Sequence, residues 1–94
     1  MTFTAVYHPA ILDDLSDINR NLQTRIEHAI TERLCIAPQA YSKPLAANLA
    51  GYWKMRVGDY RVVFKIVKQE IWIYAIINRR DIYSDVIQRS DWKP

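Results

Sequence analysis

A two-residue turn, Gly58-Asp59, separates two runs of alternating side chains and constrains this fold more than any other feature. From residue 51 the apolar side chains recur at every second position, which is the period of a strand with one buried face. A glycine-first dipeptide between two such runs predicts a tight β-hairpin. A second turn at Lys68-Gln69 predicts another hairpin that returns as a strand over residues 71–77. The second half of the chain is therefore predicted to form an antiparallel meander.

The first hairpin also predicts which side chains share a face of the sheet. Counting back from the turn places Arg56 directly opposite Arg61, with Lys54 two positions further along its strand. Directly paired residues lie on the same face, so these three cations gather on one surface, with Tyr52 at its far end. Three more residues are predicted on this cationic face: Trp72, Tyr74 and Ile76. The opposite face is predicted to be the core, formed by Trp53, Met55, Val57, Tyr60, Val62, Phe64, Ile66, Ile71, Ile73, Ala75 and Ile77.

The first half of the chain is predicted to be mainly helical. Residues 3–7 alternate like a short strand, and apolar spacings of three and four predict helices over residues 9–19 and 21–36. Residues 37–50 are interpreted mostly as loop, residues 81–89 as a short final helix, and residues 92–94 as a frayed tail. A chain of 94 residues builds one core, so a single domain over residues 1–94 is expected. The predicted fold class is α+β: an N-terminal strand and helical hairpin packed on an antiparallel β-meander with a short C-terminal helix.

Positive charge is concentrated in the half that is predicted to form the sheet. Residues 1–50 hold four Lys and Arg against five Asp and Glu, a balance of −1, whereas residues 51–94 hold nine against five, a balance of +4. This asymmetry indicates an anionic partner on the strand side. A basic face that is merely solvated would have the same composition.

Other features exclude several classes of protein. Cys35 is the only cysteine and lies in an apolar run, so no internal disulfide is possible and a buried, inert thiol is favoured. No cluster of Cys, His or carboxylates has metal-ligand spacing and no glycine loop suits a phosphate, so neither a metal nor another cofactor is expected. No stretch has the length of a membrane span and the N-terminus lacks the shape of a signal peptide. We therefore expect a cytoplasmic protein with no membrane partner.

The cationic face has the chemistry of a phosphate-handling site. Arginine binds phosphate oxygens through two parallel N–H donors, and fixed guanidinium groups stabilise a phosphate in transit more than its ground state. Strand register brings Arg79 and Arg80 close to Arg61. The interleaved aromatic residues offer surfaces for unpaired bases: Tyr52, Trp72, Tyr74 and Tyr83. Opposed arginines cost stability in a sheet, and such costs tend to lie where function requires them. Single-stranded nucleic acid is therefore the favoured partner, with functionless surface arginines as the alternative.

Three stretches resemble the RelE/ParE toxin superfamily of bacterial toxin–antitoxin pairs. They are Lys43-Pro44-Leu45, residues 51–64 (GYWKMRVGDYRVVF) and residues 78–83 (NRRDIY). The order of elements and the length also fit, so the similarity covers nearly the whole chain. The RVGDYR block and the Arg-x-x-x-Tyr ending are fairly specific to the superfamily and much less specific to a branch within it.

The resemblance implies a choice of activities. RelE-like members cleave mRNA in the ribosomal decoding site without a metal, by making the ribose 2′-hydroxyl attack the adjacent phosphate. ParE-like members inhibit DNA gyrase and cut nothing. A third alternative is an inactive relative that only binds an antitoxin. The implied partners are a cognate protein antitoxin in every case, with mRNA and the ribosome in the first and DNA gyrase in the second.

Carried over residue by residue, the RelE-like alternative assigns four catalytic residues. Lys54 matches a basic residue proposed to assist deprotonation of the 2′-hydroxyl, and Arg61 matches the arginine that stabilises the phosphate. Arg79 matches the proposed proton donor to the leaving 5′-oxygen. Tyr83 matches the tyrosine that stacks on or orients the substrate. Three further residues are assigned to RNA binding: Tyr52, Arg56 and Arg80.

Two positions depart from the superfamily pattern. Tyr52 stands where some RelE-like members carry a second lysine, and Asn78 stands where some carry a histidine. Loss of a cation lowers the positive potential at the reacting phosphate. Either departure could therefore weaken catalysis.

Overall fold

The chain folds around a five-stranded sheet that carries helices on both faces. The computed structural model describes residues 2–78 and 82–94. The elements are β1 (Thr4–Tyr7), α1 (Ile11–Ser16), α2 (Arg20–Ala29), β2 (Lys43–Pro44), β3 (Trp53–Val57), β4 (Tyr60–Val67), β5 (Glu70–Ile77) and α3 (Tyr83–Arg89). A π-helical segment, Ile30–Leu34, extends α2, and two 3-10 turns, Pro38–Tyr41 and Ala47–Leu49, flank β2. The predicted α+β fold class is confirmed.

Local capping explains where α1 ends and α2 begins. Asn19 is extended (φ −65°, ψ 155°), and its side-chain oxygen accepts a hydrogen bond from the Leu22 N–H at 2.9 Å, so it starts α2. The Gln23 side-chain amide donates to the carbonyls of Leu15 and Ile18 at 2.8 Å each. These bonds satisfy backbone carbonyls at and just past the C-terminal end of α1 that have no partner within the helix. α1 is therefore shorter than the predicted 9–19, because Asn19, the residue that caps α2, lies within that range.

The strands run in the order β1-β5-β4-β3-β2. β1 is parallel to β5, and the other neighbours are antiparallel. The predicted hairpin register is confirmed: Arg56 lies opposite Arg61. Gly58 has φ +60°, a conformation that costs a residue with a Cβ about 1–2 kcal/mol, so glycine suits this turn. The second turn, at Lys68-Gln69, is also confirmed, since Val67 pairs with Glu70.

A β-bulge in β5 makes part of the predicted face assignment wrong. Val63 pairs with Ala75, but its neighbour Phe64 pairs with Ile73, so one residue of β5 is left over. Beyond this point each β5 side chain lies on the face opposite to the predicted one. Ala75 and Ile77 therefore leave the predicted core face, and Ile76 moves onto it.

The sheet consequently buries both of its faces. The larger core lies under α1 and α2 and includes Ile26, Leu34, Met55, Val62, Phe64, Ile71 and Ile73. A second core lies on the cationic side, under α3, and contains Leu49, Tyr52, Val63, Tyr74, Ala75, Ile77, Ile82 and Val86. The expectation of one apolar and one cationic face is therefore only partly right, since α3 covers part of the cationic side.

The predicted loop and tail are more ordered than expected. Within residues 37–50, β2 adds a short strand to the outer side of β3. At the C-terminus, which was expected to fray, the Trp92 carbonyl accepts a hydrogen bond from the Tyr74 hydroxyl at 3.0 Å. No helix in residues 2–78 and 82–94 is long and apolar enough to span a membrane.

Candidate functional site

Basic side chains form two rows across the face of the sheet that carries α3. The row next to the β3–β4 turn pairs Arg56 with Arg61, and the next row pairs Lys43 of β2 with Lys54 of β3. Rows on one face lie about 7 Å apart along a strand, and adjacent strands lie about 4.8 Å apart. We call these four residues the cationic face. Their spacing lets several of them contact one phosphodiester group.

The turn between β3 and β4 orients the two arginines. Arg56 and Arg61 are the second pair from a two-residue turn, where opposed Cα atoms are about 4.5 Å apart. The Arg56 Nε donates to the Gly58 carbonyl at 3.0 Å, and the Arg61 Nη1 lies 3.5 Å from the Asp59 carbonyl. These carbonyl dipoles offset part of the repulsion between the two positive charges. The pair is therefore held at the turn end of the face.

Lys43 is a member of the cationic face that the sequence analysis missed. It lies in a stretch interpreted as loop, and only the pairing of β2 with β3 places it opposite Lys54. The signal that points to it is its presence in the Lys43-Pro44-Leu45 stretch that resembles the toxin superfamily. Two lysines directly opposite each other repeat the like-charge cost seen at the arginine pair.

Tyr52 is placed differently from the other predicted RNA-binding residues. Its side chain is buried, with 5% exposed, and its ring meets the Tyr74 ring edge-on at 5.1 Å between centroids. The Lys65 ammonium lies over this ring, 4.7 Å from its centroid. Tyr74 is buried as well. Both tyrosines therefore pack in the second core beneath the cationic face, and neither has a ring surface exposed for base stacking.

An ion pair fastens α3 to the sheet beside the site. Among the residues that the structure describes, no strand pairs with the outer edge of β5 past the end of β1, and Asp14 and Arg89 bind this edge instead. Arg89 donates to both oxygens of the Asp14 carboxylate, at 2.7 and 2.9 Å, and to the Tyr74 carbonyl at 2.9 Å. Asp14 also accepts from the Ile76 N–H at 3.0 Å. We call this network the Asp14–Arg89 clamp. The hydrogen bonds to Asp14 raise the pKa of Arg89 above its ordinary value.

The remaining predicted site residues lie at the start of α3 and just before it. Tyr83 is the first residue of α3 and is 41% exposed, while its neighbour Ile82 is buried in the second core. Asn78 follows the end of β5, next to the arginine row, and is exposed. Arg79 and Arg80 lie outside the described residues, so their assigned roles stay predictions.

An aromatic cluster lies on the side of the sheet that carries α3, at the end away from the β3–β4 turn. Trp92 packs edge-on against His8, Trp72 and Tyr74, with centroid distances of 5.1, 6.2 and 5.4 Å. Burial raises the pKa of Tyr74 to about 12, and the nearby Tyr52 hydroxyl adds to this rise. Tyr74 therefore stays neutral and donates its hydroxyl to the Trp92 carbonyl. The cluster anchors the C-terminal residues on the sheet.

His8 gives the fold a measurable dependence on pH. Burial lowers the pKa of His8, and the Arg89 charge lowers it further, against a smaller opposing effect of Asp14. Its Nδ1 also accepts a hydrogen bond from the Ala10 N–H at 2.9 Å, which requires an unprotonated nitrogen. A base with a lowered pKa in the folded state binds fewer protons than it does in the unfolded state. The contribution of neutral His8 to stability is therefore present above about pH 6.5 and is lost as pH falls through the folded-state pKa.

We expect Tm to fall between pH 7 and pH 5, and His8→Asn to make this fall smaller. Asparagine keeps an acceptor near the position of Nδ1 but does not titrate. Thermal unfolding followed by circular dichroism across this pH range measures the effect, with His28→Asn at an exposed position as the matched control. An equal pH response in wild type and His8→Asn would show that His8 is not responsible.

The chemistry open to this site is that of arginine, lysine and tyrosine. Within residues 2–78 and 82–94, no group of three or more His, Cys, Asp or Glu is arranged to hold a metal ion. Neither of the two histidines, His8 and His28, belongs to the cationic face. The arrangement suits binding of a phosphodiester and stabilisation of extra negative charge on it.

The model of one protein family matches most of the chain. A family model described as the ParE toxin of the type II toxin–antitoxin system parDE matches residues 5–83. A search of curated protein sequences finds no match.

Solved structures of several toxins share the fold. The RelBE2 toxin–antitoxin complex from Mycobacterium tuberculosis is similar with a TM-score of 0.76 and 22% identity, covering 84% of this chain and 100% of that chain. A mutant of the E. coli toxin RelE in the free state has a TM-score of 0.73 and 10% identity, with 96% of each chain covered. The YoeB–YefM complex from Staphylococcus aureus has a TM-score of 0.67 and 16% identity, with coverage of 84% and 99%. At these identities the likeness shows the fold.

The family match spans most of the 94 residues, including β2 to β5 and both rows of the cationic face. The resemblance noted in the sequence is therefore confirmed, and the chain belongs to the ParE toxin family of type II toxin–antitoxin systems, within the RelE/ParE superfamily.

Proposed function

We propose that this toxin is a metal-independent endoribonuclease that cleaves mRNA on the ribosome and thereby inhibits translation. The observation that carries the proposal is the pair of cationic rows, which place Lys54 beside Arg61 on one face of the sheet. The structural similarity to toxins named RelE and YoeB supports a RelE-like activity over the alternatives.

In the proposed reaction the ribose 2′-oxygen attacks the adjacent phosphorus while the bond from phosphorus to the 5′-oxygen breaks. Lys54 assists removal of the 2′-hydroxyl proton, and Arg61 stabilises the extra negative charge on the phosphate. Arg79 supplies a proton to the leaving 5′-oxygen, and Tyr83 orients the nucleotide. The products are a 2′,3′-cyclic phosphate and a 5′-hydroxyl. Tyr52, Arg56 and Arg80 are proposed to bind or support the RNA around this centre.

Dependence on the ribosome follows from the composition of the face. A face of lysines and arginines without histidine is poorly equipped for proton transfer near neutral pH, because the best general acids and bases have a pKa near the working pH. Alignment of the 2′-oxygen with the scissile bond must then supply more of the rate, and a rigid decoding site can hold mRNA in that geometry. Free RNA is therefore expected to be a poor substrate.

A translation-coupled cleavage assay tests the proposal. Purified toxin added to a cell-free translation reaction should give cuts in phase with codons, mapped by primer extension, whereas the same mRNA without ribosomes should stay largely intact. Absence of codon-phased cleavage with intact toxin would rule out the nuclease proposal.

DNA gyrase inhibition is the second candidate, because the matching family model is that of ParE toxins. Under this alternative the protein binds gyrase and performs no chemistry. Supercoiling by purified gyrase would then be inhibited while cell-free translation continued, which is the opposite of the result expected above. An inactive relative would leave both reactions unaffected.

We also propose a cognate protein antitoxin as partner. Its support is the family itself and an apolar groove of about 400 Å³ beside α1 and α2, bordered by Leu12 and Tyr7, which are 78% and 44% exposed. A partner segment that covers this groove would bury apolar area that a domain of this size needs. In the same cleavage assay, the purified product of the adjacent reading frame should suppress the activity when it is mixed with the toxin beforehand.

A further inference from the structure

A second basic surface lies away from the cationic face, where α2 passes the β3–β4 turn. A groove of about 410 Å³ runs between them. Its helical side carries Arg25, His28 and Arg33, which lie on one side of α2 and its π-helical extension. Its strand side carries Arg56 and Gly58. Three guanidinium groups therefore border one concave surface.

Two of these arginines meet at the turn itself. The Arg25 Nη1 would lie 3.7 Å from a Cβ added to Gly58, so this guanidinium packs over the glycine. From the other side, the Arg56 Nε donates to the Gly58 carbonyl at 3.0 Å. Arg56 thus stands at the rim between the cationic face and the groove.

The charge of the groove is not neutralised. Glu32 is the single carboxylate among its lining residues. Within the part of the chain that the structure describes, Arg25, Arg33 and Arg56 have no ion pair with a carboxylate. The first 50 residues hold only four basic residues, and two of them line this groove. This concentration of unpaired cations favours a polyanionic ligand.

An aromatic residue lies beside the third arginine. The Arg33 guanidinium is stacked over the Tyr41 ring at 5.7 Å from its centroid, and Tyr41 is 53% exposed. A stacked guanidinium keeps the N–H groups in its plane available for phosphate oxygens. The exposed ring adjoining it offers a surface on which an unpaired base can stack.

We propose that this groove binds the phosphate backbone of RNA and forms a second RNA-binding surface, one that holds RNA without taking part in chemistry. A nucleic-acid strand presents a regular line of phosphates to cations spread along a groove, and its bases can use Tyr41. The carboxylates of an acidic peptide would use the cations but not the ring. The groove lies beyond the proposed catalytic centre and does not depend on cleavage.

RNA-binding measurements with matched charge variants test this surface. Fluorescence anisotropy of a fluorescein-labelled RNA hairpin with a single-stranded loop is recorded between 50 and 200 mM KCl, using the full chain carrying Arg61→Ala. Adding Arg25→Gln and Arg33→Gln should weaken binding roughly tenfold and reduce the salt slope by about 1–2, since two phosphate contacts are lost. Because every protein in the series carries Arg61→Ala, a failure of the cleavage proposal leaves this result unaffected.

The control removes the same charge elsewhere. Arg20→Gln with Lys68→Gln changes two exposed cations that do not line the groove, and it should leave most of the affinity and the slope. Equal weakening by both double variants would overturn the proposal, since only net charge would then matter. Displacement of the RNA by polyglutamate at equal charge concentration would overturn it as well and assign the groove to an acidic protein.

A second variant covers the case in which the double variant folds poorly. Thr24→Glu places a negative charge in the groove at an exposed helical position. It should also weaken RNA binding, with unchanged far-UV circular dichroism. Affinity equal to that of the Arg61→Ala protein without Thr24→Glu would contradict the proposed surface.

Discussion

Replacing Arg61 with alanine is expected to lower the rate of mRNA cleavage on ribosomes roughly 100- to 1000-fold, the usual loss when one preorganised donor to a developing negative charge is removed. Arg61 lies opposite Arg56 and beside the Lys54 row, so it is the strand arginine best placed to contact the phosphate under attack. Single-turnover cleavage on programmed ribosomes measures the effect. The loss should fall on the rate at saturating ribosome concentration more than on the concentration needed for half saturation.

Two controls separate this role from charge alone. Arg61→Lys keeps the positive charge but loses the two parallel donors, so it should recover only part of the rate. Lys68→Ala removes a positive charge at the exposed β4–β5 turn and should cleave like wild type. If Arg61→Ala still inhibits growth and cleaves at the wild-type rate, Arg61 does not stabilise the phosphate.

The hairpin register could be predicted from sequence because it depends on local information. A two-residue turn that begins with glycine leaves one register open to its flanking strands, and this fixes Arg56 opposite Arg61. The alternation on either side then places Lys54 on the same face. The central part of the candidate site was therefore within reach of pattern reasoning.

The bulge in β5 could not be predicted in this way. Residues 71–77 form an unbroken apolar run (IWIYAII) that gives no sign of an extra residue. The extra residue is accommodated by groups far away in the chain. Asp14 binds the Ile76 N–H across 62 positions, and Arg89 binds the Tyr74 carbonyl across 15. Tertiary contacts thus override the period of two, and they decide which β5 side chains pack under α3.

The basic groove could not be predicted from the sequence either, because it depends on tertiary packing. Arg25 and Arg33 lie in the acidic half of the chain, where their charges are hidden in the overall balance. Only the packing of α2 against the β3–β4 turn brings them to Arg56. Lys43 likewise joins the cationic face through one short strand pairing. Counting charges along the chain identified the basic half, but it did not show which basic residues of the first half lie beside basic residues of the second.

Replacing Arg89 with methionine is expected to lower the free energy of unfolding by about 3 kcal/mol, because it leaves the Asp14 carboxylate largely buried without its partner. The Arg89 and Asp14 side chains are 17% and 8% exposed, so water can replace only part of the lost interaction. For a domain of this size the change corresponds to a fall in Tm of roughly 10–20 °C. Thermal and urea unfolding followed by circular dichroism measure it, with Arg20→Met at an exposed position as the control, expected to change stability by less than about 0.5 kcal/mol.

A double-mutant cycle tells the clamp apart from simple loss of packing. Asp14→Asn removes the charge that Arg89 compensates, so the double variant should be destabilised by about 1–3 kcal/mol less than the sum of the two single variants. Additive losses would mean that the two side chains stabilise the fold independently. The clamp ties α3 to the bulged edge of β5, and α3 begins at Tyr83. Coupling between Asp14 and Arg89 would therefore also make the position of Tyr83 depend on a carboxylate in α1. Cleavage by the Asp14→Asn toxin, measured at a temperature where it is fully folded, should then be slower than wild type even though Asp14 lies outside the cationic face.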